Sequence, residues 1–311
     1  MLDITTIILT YNEEKHIARC LDIICPVAKD VFVIDCFSKD RTVEIAQSYA
    51  NVHVLQHEWP VTKYAGQFNW ALENVPITTK WVMRLDADEY PLPDLIEEMQ
   101  AKIPSLGDDI TGIVLKRRHI FMGKWVKRGI YPIKLIRIFR YGKAMCEQRF
   151  MDEHIQLLEG QYVEFEHDFC DHSLIGISEY CKKHINYAHR EATEILNEKY
   201  KLIESRAENV THLGKQAERK HKTKSKYNRS PLFWRSFAYF IYRYFLRGGF
   251  LDGKEGFVFA FIQGLWYRTL VDVKILEVRR WLKDNHLDAN SHEGRQALKK
   301  YVKDNWGITT N

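Results

Sequence analysis

Short apolar runs alternate with helical stretches over residues 1–90, and this alternation limits the possible folds more than any other feature of the sequence. The runs are rich in β-branched residues and too short for typical helices, so they predict buried strands. They lie at residues 4–10, 31–35, 52–55 and 81–86. Strands separated by helices of about ten residues predict an α/β fold with a mostly parallel sheet.

Polar residues follow three of these runs directly. Asn12 and Glu13 come after the first run, Asp35 ends the second, and Asp86 with Asp88 closes the fourth. Ligands of open α/β sheets bind beyond the carboxyl ends of the strands. We therefore expect the binding site at this edge of the sheet.

Asp86 and Asp88 are two residues apart, so in extended geometry their side chains point the same way. Two carboxylates aimed together repel each other, and a cation relieves that repulsion. Mg²⁺ and Mn²⁺ prefer oxygen ligands and commonly share them with the phosphates of a substrate. The pair therefore indicates a site for Mg²⁺ or Mn²⁺. The alternative is an acidic turn that caps the helix predicted at Asp94 and Leu95.

The bulk composition is that of a folded protein of one or two domains. The chain has 311 residues, 45% of them hydrophobic, and a formal net charge of +5. Its six cysteines form no Cys-x-x-Cys pair, and residues 1–4 do not begin a basic segment followed by an apolar stretch. These features predict free thiols, no signal peptide and a cytoplasmic setting.

The second half of the chain changes character in three steps. Residues 116–140 predict an antiparallel extension with long loops, and residues 176–204 predict a helix. Residues 215–229 carry seven cations against one acid, which forms a basic patch. The cations of this patch are Lys215, Arg219, Lys220, Lys222, Lys224, Lys226 and Arg229.

Residues 231–281 are strongly aromatic, with Arg235, Arg243 and Arg247 between the aromatic groups. No stretch reaches the length of uncharged sequence that a membrane-spanning helix needs. Aromatic and basic helices of this kind suit a bilayer interface. The alternatives are a helical subdomain packed on the sheet and a dimer interface. We expect a catalytic domain at 1–225 and a C-terminal, amphipathic helical region at 226–311 that contacts the membrane peripherally.

Three motifs together resemble glycosyltransferase family 2, whose members are inverting enzymes with the Rossmann-like GT-A fold. They are Thr10-Tyr11-Asn12-Glu13-Glu14, Val33-Ile34-Asp35 followed by Ser38-x-Asp40-x-Thr42, and Leu85-Asp86-Ala87-Asp88-Glu89. The resemblance covers about residues 3–190 and implies a nucleotide-diphosphate-sugar donor. The C-terminal region looks like that of bacterial transferases that build lipopolysaccharide cores and other surface glycans, including glucosyltransferases that modify inner-core heptose.

The resemblance implies a role in donor binding for several residues. Thr10, Tyr11, Asn12, Glu13 and Asp35 would form the nucleoside pocket, although Asp35 could instead belong to a helix N-terminal turn. Gln67 and Asn69 would lie near the diphosphate. The family often carries a basic residue where this chain has Gln67, so the positive charge would come from Lys63 or Arg84.

The resemblance also implies the catalytic and metal groups. Asp88 would bind the metal directly, Asp86 would bind the ribose or the metal, and His172 would contact the metal or the diphosphate unless it is a structural histidine. The family places an acid pair downstream, usually Glu-Asp with the second acid as the base. Here the pair reads Asp152-Glu153, so Glu153 is the preferred base and Asp152 the second choice, unless the pair is only an exposed acidic turn.

The sequence therefore predicts a metal-dependent inverting hexosyltransferase that uses a nucleotide sugar, UDP-linked by preference. Its acceptor would be a lipid-linked saccharide or lipopolysaccharide core at the inner face of the cytoplasmic membrane, and it could form a homo-oligomer. A nucleotidyltransferase would normally show a Gly-rich, basic loop, which residues 10–13 lack. A nucleic-acid binder usually spreads cations over a face, so a single basic patch predicts no nucleic acid.

Overall fold

A computed structural model describes residues 1–58, 64–147, 153–202 and 223–310, without the side chains of residues 64 and 65. Its main feature is a nine-stranded sheet, with a separate two-stranded sheet beside it. The strands are β1 (Leu2–Thr10), β2 (Ala28–Asp35), β3 (Val52–Gln56), β4 (Trp81–Asp86), β5 (Glu89–Pro91), β6 (Ile110–Phe121), β7 (Lys124–Trp125), β8 (Ile133–Arg140), β9 (Ala144–Cys146), β10 (Ile155–Leu157) and β11 (Gln161–His172).

The order across the large sheet is β3-β2-β1-β4-β8-β6-β11-β5, and β7 pairs with β6. β1 is parallel to β2 and β4, and β2 is parallel to β3. β8 is antiparallel to both β4 and β6, while β11 is parallel to β6. β1, β2, β3, β4, β6 and β11 therefore run in one direction, which confirms the predicted α/β fold and its antiparallel extension.

Helices flank the sheet and form a C-terminal layer, which confirms the predicted helical region. They are α1 (Ile17–Ile24), α2 (Thr42–Gln47), α3 (Tyr64–Asn74), α4 (Pro93–Lys102), α5 (Ile177–Tyr200), α6 (Trp234–Ile241), α7 (Gly253–Phe259), α8 (Tyr267–Asp284) and α9 (His292–Trp306). Residues 223–228 are also helical. In the parts of the chain that the structure describes, no helix is both long and apolar enough to cross a bilayer.

The sheet has a separate core on each face because alternate side chains of a strand point to opposite sides. Ile4 and Ile8 of β1 belong to the core that includes α1. Ile7 and Leu9 belong to the core on the other face, which Phe68 of α3 completes. A strand buried on both faces reads as a continuous apolar run, as the β1 sequence does.

The C-terminal layer begins at α5. Leu196 of α5 packs with Val278 of α8 and with Leu298 of α9 in a third core. The domain boundary predicted between residues 225 and 226 stays a prediction. The sequence assigns α5 to the catalytic domain, but α5 shares this third core with the helices that follow the boundary. Lys224, which the sequence places in the basic patch, pairs with the buried Glu191 of α5 at 2.9 Å.

The buried carboxylate of Glu98 joins α4 to an irregular stretch of β11. The register with β6 shifts between Glu164 and Asp168, and this bulge leaves backbone N–H groups without strand partners. Glu98 accepts hydrogen bonds from the N–H groups of Glu166 and His167, each at 3.0 Å, and from Lys102 at 2.7 Å. Burial opposes ionisation, but these donors outweigh it and lower the pKa of Glu98 to about 2.

We expect Glu98→Gln to destabilise the fold by about 2 kcal/mol near neutral pH, the scale of hydrogen bonds to a charged group. A pKa that is lower in the folded state stabilises the protein above the usual value of 4.5, and this contribution is lost as the pH falls toward 2. The difference between variant and wild type in urea unfolding should therefore shrink over that range. Glu97→Gln, at an exposed position of the same helix, should change little at any pH.

Candidate active site

The turn between β4 and β5 brings together three residues that the sequence assigns to metal binding. Asp86 ends β4, Asp88 lies in the turn, and β5 pairs with the end of β11 so that Glu89 lies opposite Asp171. The N–H of His172 donates to the carbonyl oxygen of Asp88 at 2.9 Å. His172 therefore lies beside the turn that carries Asp86 and Asp88, although it is more than eighty positions away from them in the sequence.

An ion-pair network lies beneath Asp86. Glu89 is 1% exposed, and its Oε1 accepts a hydrogen bond from Nη2 of Arg137 at 2.5 Å. Its Oε2 accepts the backbone N–H of Asp86 at 3.1 Å. Nη2 of Arg137 is also 3.7 Å from Asp86 Oδ2, and Nη2 of Arg84 is 3.9 Å from Oδ1. Glu89 thus fixes the backbone of Asp86 while two guanidinium groups face its side chain.

The pKa values of the two aspartates are shifted in opposite directions. Partial desolvation opposes ionisation of Asp86, but Arg137 and Arg84 hold the pKa of its carboxyl below the usual value. Burial and the charge of Asp171 raise the pKa of Asp88 to about 6, against an opposing effect of Lys183. The negative charge of Asp88 is therefore only partly compensated, and a bound cation would compensate the rest.

The donor set fits a hard cation that is shared with a substrate. The side chain of Asp86 is 42% exposed, and both aspartates offer the oxygen ligands that Mg²⁺ and Mn²⁺ prefer. Within the described residues, no group of three or more His, Cys, Asp or Glu side chains is placed so that it could hold a metal ion by itself. Such an ion would need further oxygen ligands, and a diphosphate can supply them.

His172 is held in position by two neighbours. Its Nδ1 is 3.2 Å from Nη1 of Arg19 and 3.2 Å from the hydroxyl of Tyr90, and Arg19 also donates to the His172 carbonyl oxygen. Burial and the charge of Arg19 lower the pKa of His172. The imidazole is therefore neutral near pH 7, the form that can bind a metal.

The two loops that are predicted to bind the nucleoside are joined to each other by hydrogen bonds. The carboxylate of Asp35 is fully buried and accepts hydrogen bonds from the Thr10 hydroxyl at 2.9 Å and the Ser38 N–H at 2.8 Å. Asn12 has a positive φ of 55°, and its side chain accepts the Lys39 N–H at 2.8 Å. The loop after β1 and the loop after β2 thus form one rigid unit.

Two other residues predicted to form this pocket lie in the loop after β1. The Glu13 N–H donates to Thr42 at 2.7 Å, and its carboxylate contacts His16 at 2.5 Å. Tyr11 is 52% exposed. Tyr11 is the more accessible of the two to an incoming nucleoside.

Gln67 and Asn69, predicted near the diphosphate, are both used in backbone contacts. Gln67 is 1% exposed and donates to the Ile34 carbonyl oxygen at 3.3 Å. Asn69 donates to the Cys146 carbonyl oxygen at 2.8 Å and accepts the Cys146 N–H at 2.7 Å. These amides therefore attach α3 to β2 and β9.

The predicted base lies close to the same charge network. Glu153 is half-buried just before β10, and Asp152 lies outside the described residues, as does Lys63. Burial disfavours the charged form of Arg84, but acidic groups at Cys146, Asp86 and Glu153 raise its pKa. The buried guanidinium of Arg84 also donates to Cys146 Sγ at 3.0 Å. Arg84 therefore connects the region of Glu153 with Asp86.

Comparison with known proteins assigns the family. The sequence profile of glycosyl transferase family 2 matches residues 5–163, just over half of the chain. The chain belongs to glycosyl transferase family 2. A family 2 member of this kind is a glycosyltransferase with a nucleotide-sugar donor, which confirms that part of the sequence-based interpretation.

Several known proteins resemble this family 2 chain. An uncharacterized glycosyltransferase of Rickettsia typhi is 25% identical over 293 residues, 93% of each chain. The structure of TarS 1–349 from S. aureus in complex with UDP-GlcNAc covers 92% of this chain and 93% of that one, with 16% identity and a TM-score of 0.41. The mannosyltransferase PcManGT from Pyrobaculum calidifontis, in complex with GDP-Man and Mn²⁺, covers 88% and 87%, with 14% identity and a TM-score of 0.48.

Sequence reasoning missed the cations and the acid that support this family 2 site from other strands. Arg117 Nη1 is 3.3 Å from Asp171 Oδ2, and His119 Nδ1 is 3.1 Å from the same oxygen. These contacts lower the pKa of Asp171, although burial opposes the shift. The available signal was the run Lys116-Arg117-Arg118-His119, because cations inside a predicted strand need buried acidic partners.

Breaking the central ion pair should destabilise the whole protein. Arg137→Met leaves the carboxylate of Glu89 buried without its hydrogen-bonded partner, so we expect a loss of about 3 kcal/mol in the free energy of unfolding. The double variant Arg137→Met/Glu89→Gln should recover much of that loss. Arg41→Met breaks an exposed pair with Glu44, in which both side chains are about two-thirds exposed, and should leave the free energy of unfolding nearly unchanged. Urea unfolding measures all three variants, and an equal loss in the single and double variants would contradict the assignment.

Proposed function

We propose that this protein is a metal-dependent, inverting hexosyltransferase that moves a sugar from a UDP-sugar to a lipid-linked saccharide or lipopolysaccharide-core acceptor. The observation that supports the proposal is the meeting of Asp86, Asp88 and His172 at one turn in a chain of glycosyl transferase family 2. The proposal assigns the donor to the edge of the sheet where β1, β2 and β4 end.

In this proposal the nucleoside lies against the fastened loops of residues 10–13 and 38–42. Asp35 orients them through Thr10 and Ser38, while Tyr11 is exposed beside the pocket. Loops that are already ordered lose little conformational freedom when a ligand binds. The rigid unit therefore favours donor binding without rearrangement.

Asp88, with Asp86 and His172, would hold Mg²⁺ or Mn²⁺ at the diphosphate. A cation bound there neutralises the negative charge that develops on the departing nucleotide diphosphate. Arg84 and Arg137 keep Asp86 ionised, and Arg19 with Tyr90 fixes the neutral imidazole of His172. These contacts keep the proposed ligands in the protonation state that binding requires.

Inversion requires a base on the side of the sugar opposite to the leaving group. Glu153 would accept the proton of the acceptor hydroxyl while the hydroxyl oxygen attacks the anomeric carbon and the bond to the diphosphate breaks. Asp152 is the second choice for this role. The buried guanidinium of Arg84 interacts electrostatically with Glu153, so the proposed base lies beside a fixed positive charge.

A cavity of about 250 Å³ next to the turn is the proposed acceptor subsite. It lies between the β6–β7 hairpin and the segment that joins β11 to α5. His172 belongs both to its wall and to the proposed metal site, so a bound hydroxyl would be close to the donor. The lining includes the polar and aromatic groups that saccharides contact: His119, Phe121, His172, Ser173 and Tyr180.

Asp88→Asn removes one negative charge at the proposed cation, so we expect near-complete loss of sugar transfer and of metal-stimulated donor binding, with folding intact. Transfer is measured with purified protein, Mn²⁺ or Mg²⁺ and a panel of nucleotide sugars, and donor binding by calorimetry with and without metal. Asp94→Asn makes the same chemical change at an exposed position of α4 and should behave as wild type. Full activity of Asp88→Asn, or of the wild type in excess EDTA, would contradict the metal role.

Glu153→Gln should lower turnover by about 10² to 10⁴, the contribution typical of a general base. Donor affinity should change little because the donor is held at the other strands. Glu159→Gln, an exposed carboxylate paired with Lys143, serves as the matched control. If Asp152→Asn gives the low turnover and Glu153→Gln does not, the base is Asp152, and normal turnover in both would exclude the pair.

A further inference from the structure

A group of large apolar side chains is exposed on one segment of the helical layer. Trp234 is 75% exposed and Leu246 is 76% exposed. The rings of Phe245, Phe250 and Phe257 all contact Tyr244, with centroids 5.0, 6.2 and 5.6 Å away, so this part forms one connected patch. We call the exposed set the aromatic face: Phe233, Trp234, Phe237, Tyr242, Phe245, Leu246, Phe250, Leu251, Phe257 and Phe261.

Two arginines that interrupt the aromatic sequence do not reach this face. Arg235 donates to Asp272 at 2.7 and 2.5 Å, and their side chains are 1% and 0% exposed. Arg243 is 3% exposed, and its guanidinium lies 5.1 Å from the ring centre of Phe259. The surface is therefore far more apolar than the sequence of residues 231–261 indicates. A large exposed apolar surface usually marks a contact with a partner molecule or a membrane.

The exposed charges around the aromatic face are predominantly positive. Of the charged residues in 231–261, Arg247 and Lys254 are exposed, Asp252 is buried, and the partly exposed Glu255 pairs with Lys124. Lys127 and Arg128 are exposed on the adjoining loop, and the side chain of Arg128 lies next to Gly248. Within the described chain, no carboxylate forms an ion pair with these four cations. We call the four residues the cationic rim.

This charge pattern selects an anionic partner over a second copy of the chain. In a two-fold dimer the same patch faces itself, so the cationic rim of one copy would lie near that of the other. Like charges at such a contact repel each other. Anionic lipid headgroups would instead attract each cation of the rim.

We propose that the aromatic face docks on a lipid bilayer that contains anionic phospholipid. The rings lie at the level of the headgroups, where aromatic side chains are favoured, and the cationic rim contacts the lipid phosphates. The surface consists of short helical segments within 231–261, which suits a contact with the interface of the bilayer. The proposal rests on these residues alone and does not depend on the identity of donor or acceptor.

Docking through this face would bring the bilayer beside the cavity described above. Phe259, on the inner side of α7, packs on His119 and Phe121 at ring distances of 5.0 and 5.3 Å. Both residues line the cavity, as does Met122 at the tip of the β6–β7 hairpin, which is 62% exposed. An acceptor that is anchored in the docked bilayer therefore has a short path to the cavity.

The first experiment is co-sedimentation of the full chain with vesicles of phosphatidylcholine, with or without phosphatidylglycerol. We expect strong binding only with phosphatidylglycerol, and weaker binding in high salt because salt screens exposed charges. Trp234→Ser/Leu246→Ser should weaken binding at least about tenfold, since each lost side chain removes a large transfer free energy. Tyr141→Ser/Leu158→Ser changes two exposed apolar residues outside the face and should bind as wild type.

Two further measurements test the contribution of the cations and that of the aromatic side chains separately. Arg247→Gln/Lys254→Gln should weaken binding to phosphatidylglycerol vesicles while circular dichroism shows an unchanged fold. Brominated phospholipid should quench tryptophan fluorescence of the wild type, and Trp234→Phe should lose most of that quenching. The quenching experiment uses the conservative variant Trp234→Phe, so it remains informative if the double serine variant fails to fold.

Three outcomes would overturn the proposal. They are binding that is equal for neutral and anionic vesicles, no binding to either, and a concentration-dependent dimer in ultracentrifugation that Trp234→Ser/Leu246→Ser dissociates while vesicle binding stays normal. Hydrolysis of a soluble nucleotide-sugar donor should be the same in all these variants. If neither the wild type nor any variant hydrolyses the donor, the result contradicts the proposed transferase activity and leaves the docking result unaffected.

Discussion

The ion pair between Arg137 and Glu89 is the contact on which the proposed site depends. Glu89 is almost completely buried, and burial raises the pKa of its carboxyl, whereas the charges of Arg137 and Arg117 favour its ionised form. A charged carboxylate is tolerated there because guanidinium groups surround it. The same carboxylate accepts the backbone N–H of Asp86. The ion pair therefore both positions the Asp-x-Asp turn and stabilises the centre of the sheet.

The network also explains why the two aspartates of the turn differ. Asp86 faces Arg84 and Arg137, whereas Asp88 faces the negative charge of Asp171. Environments that push two neighbouring carboxyl groups in opposite directions are common at functional sites. The antiparallel pairing of β5 with β11 produces this difference, because it places Asp171 directly opposite Glu89.

The sequence predicted the parallel strands, the polar loops that follow them and the family, because these depend on local periodicity and on motifs of a few residues. It could not predict the partners of Glu89, since Arg137 is 48 positions away and joins the site only through sheet pairing. It also could not show that Arg235 and Arg243 turn inward, because the partner of Arg235 is Asp272, a residue in a later helix. For the same reason Lys224, counted with the basic patch, pairs instead with the buried Glu191.

The bulge in β11 has a consequence for how this strand tolerates changes in length. Asp168 follows Glu164 by four positions in β11, while their partners Val114 and Lys116 are only two positions apart in β6. The inserted length is two residues, which is even, so Val163 before the bulge and Phe169 after it still pack against the same core. An insertion of odd length would exchange the two faces of the strand and turn Asp171 away from Arg117. For an insertion before residue 168, whether its length is even or odd therefore matters more to the site than how long it is.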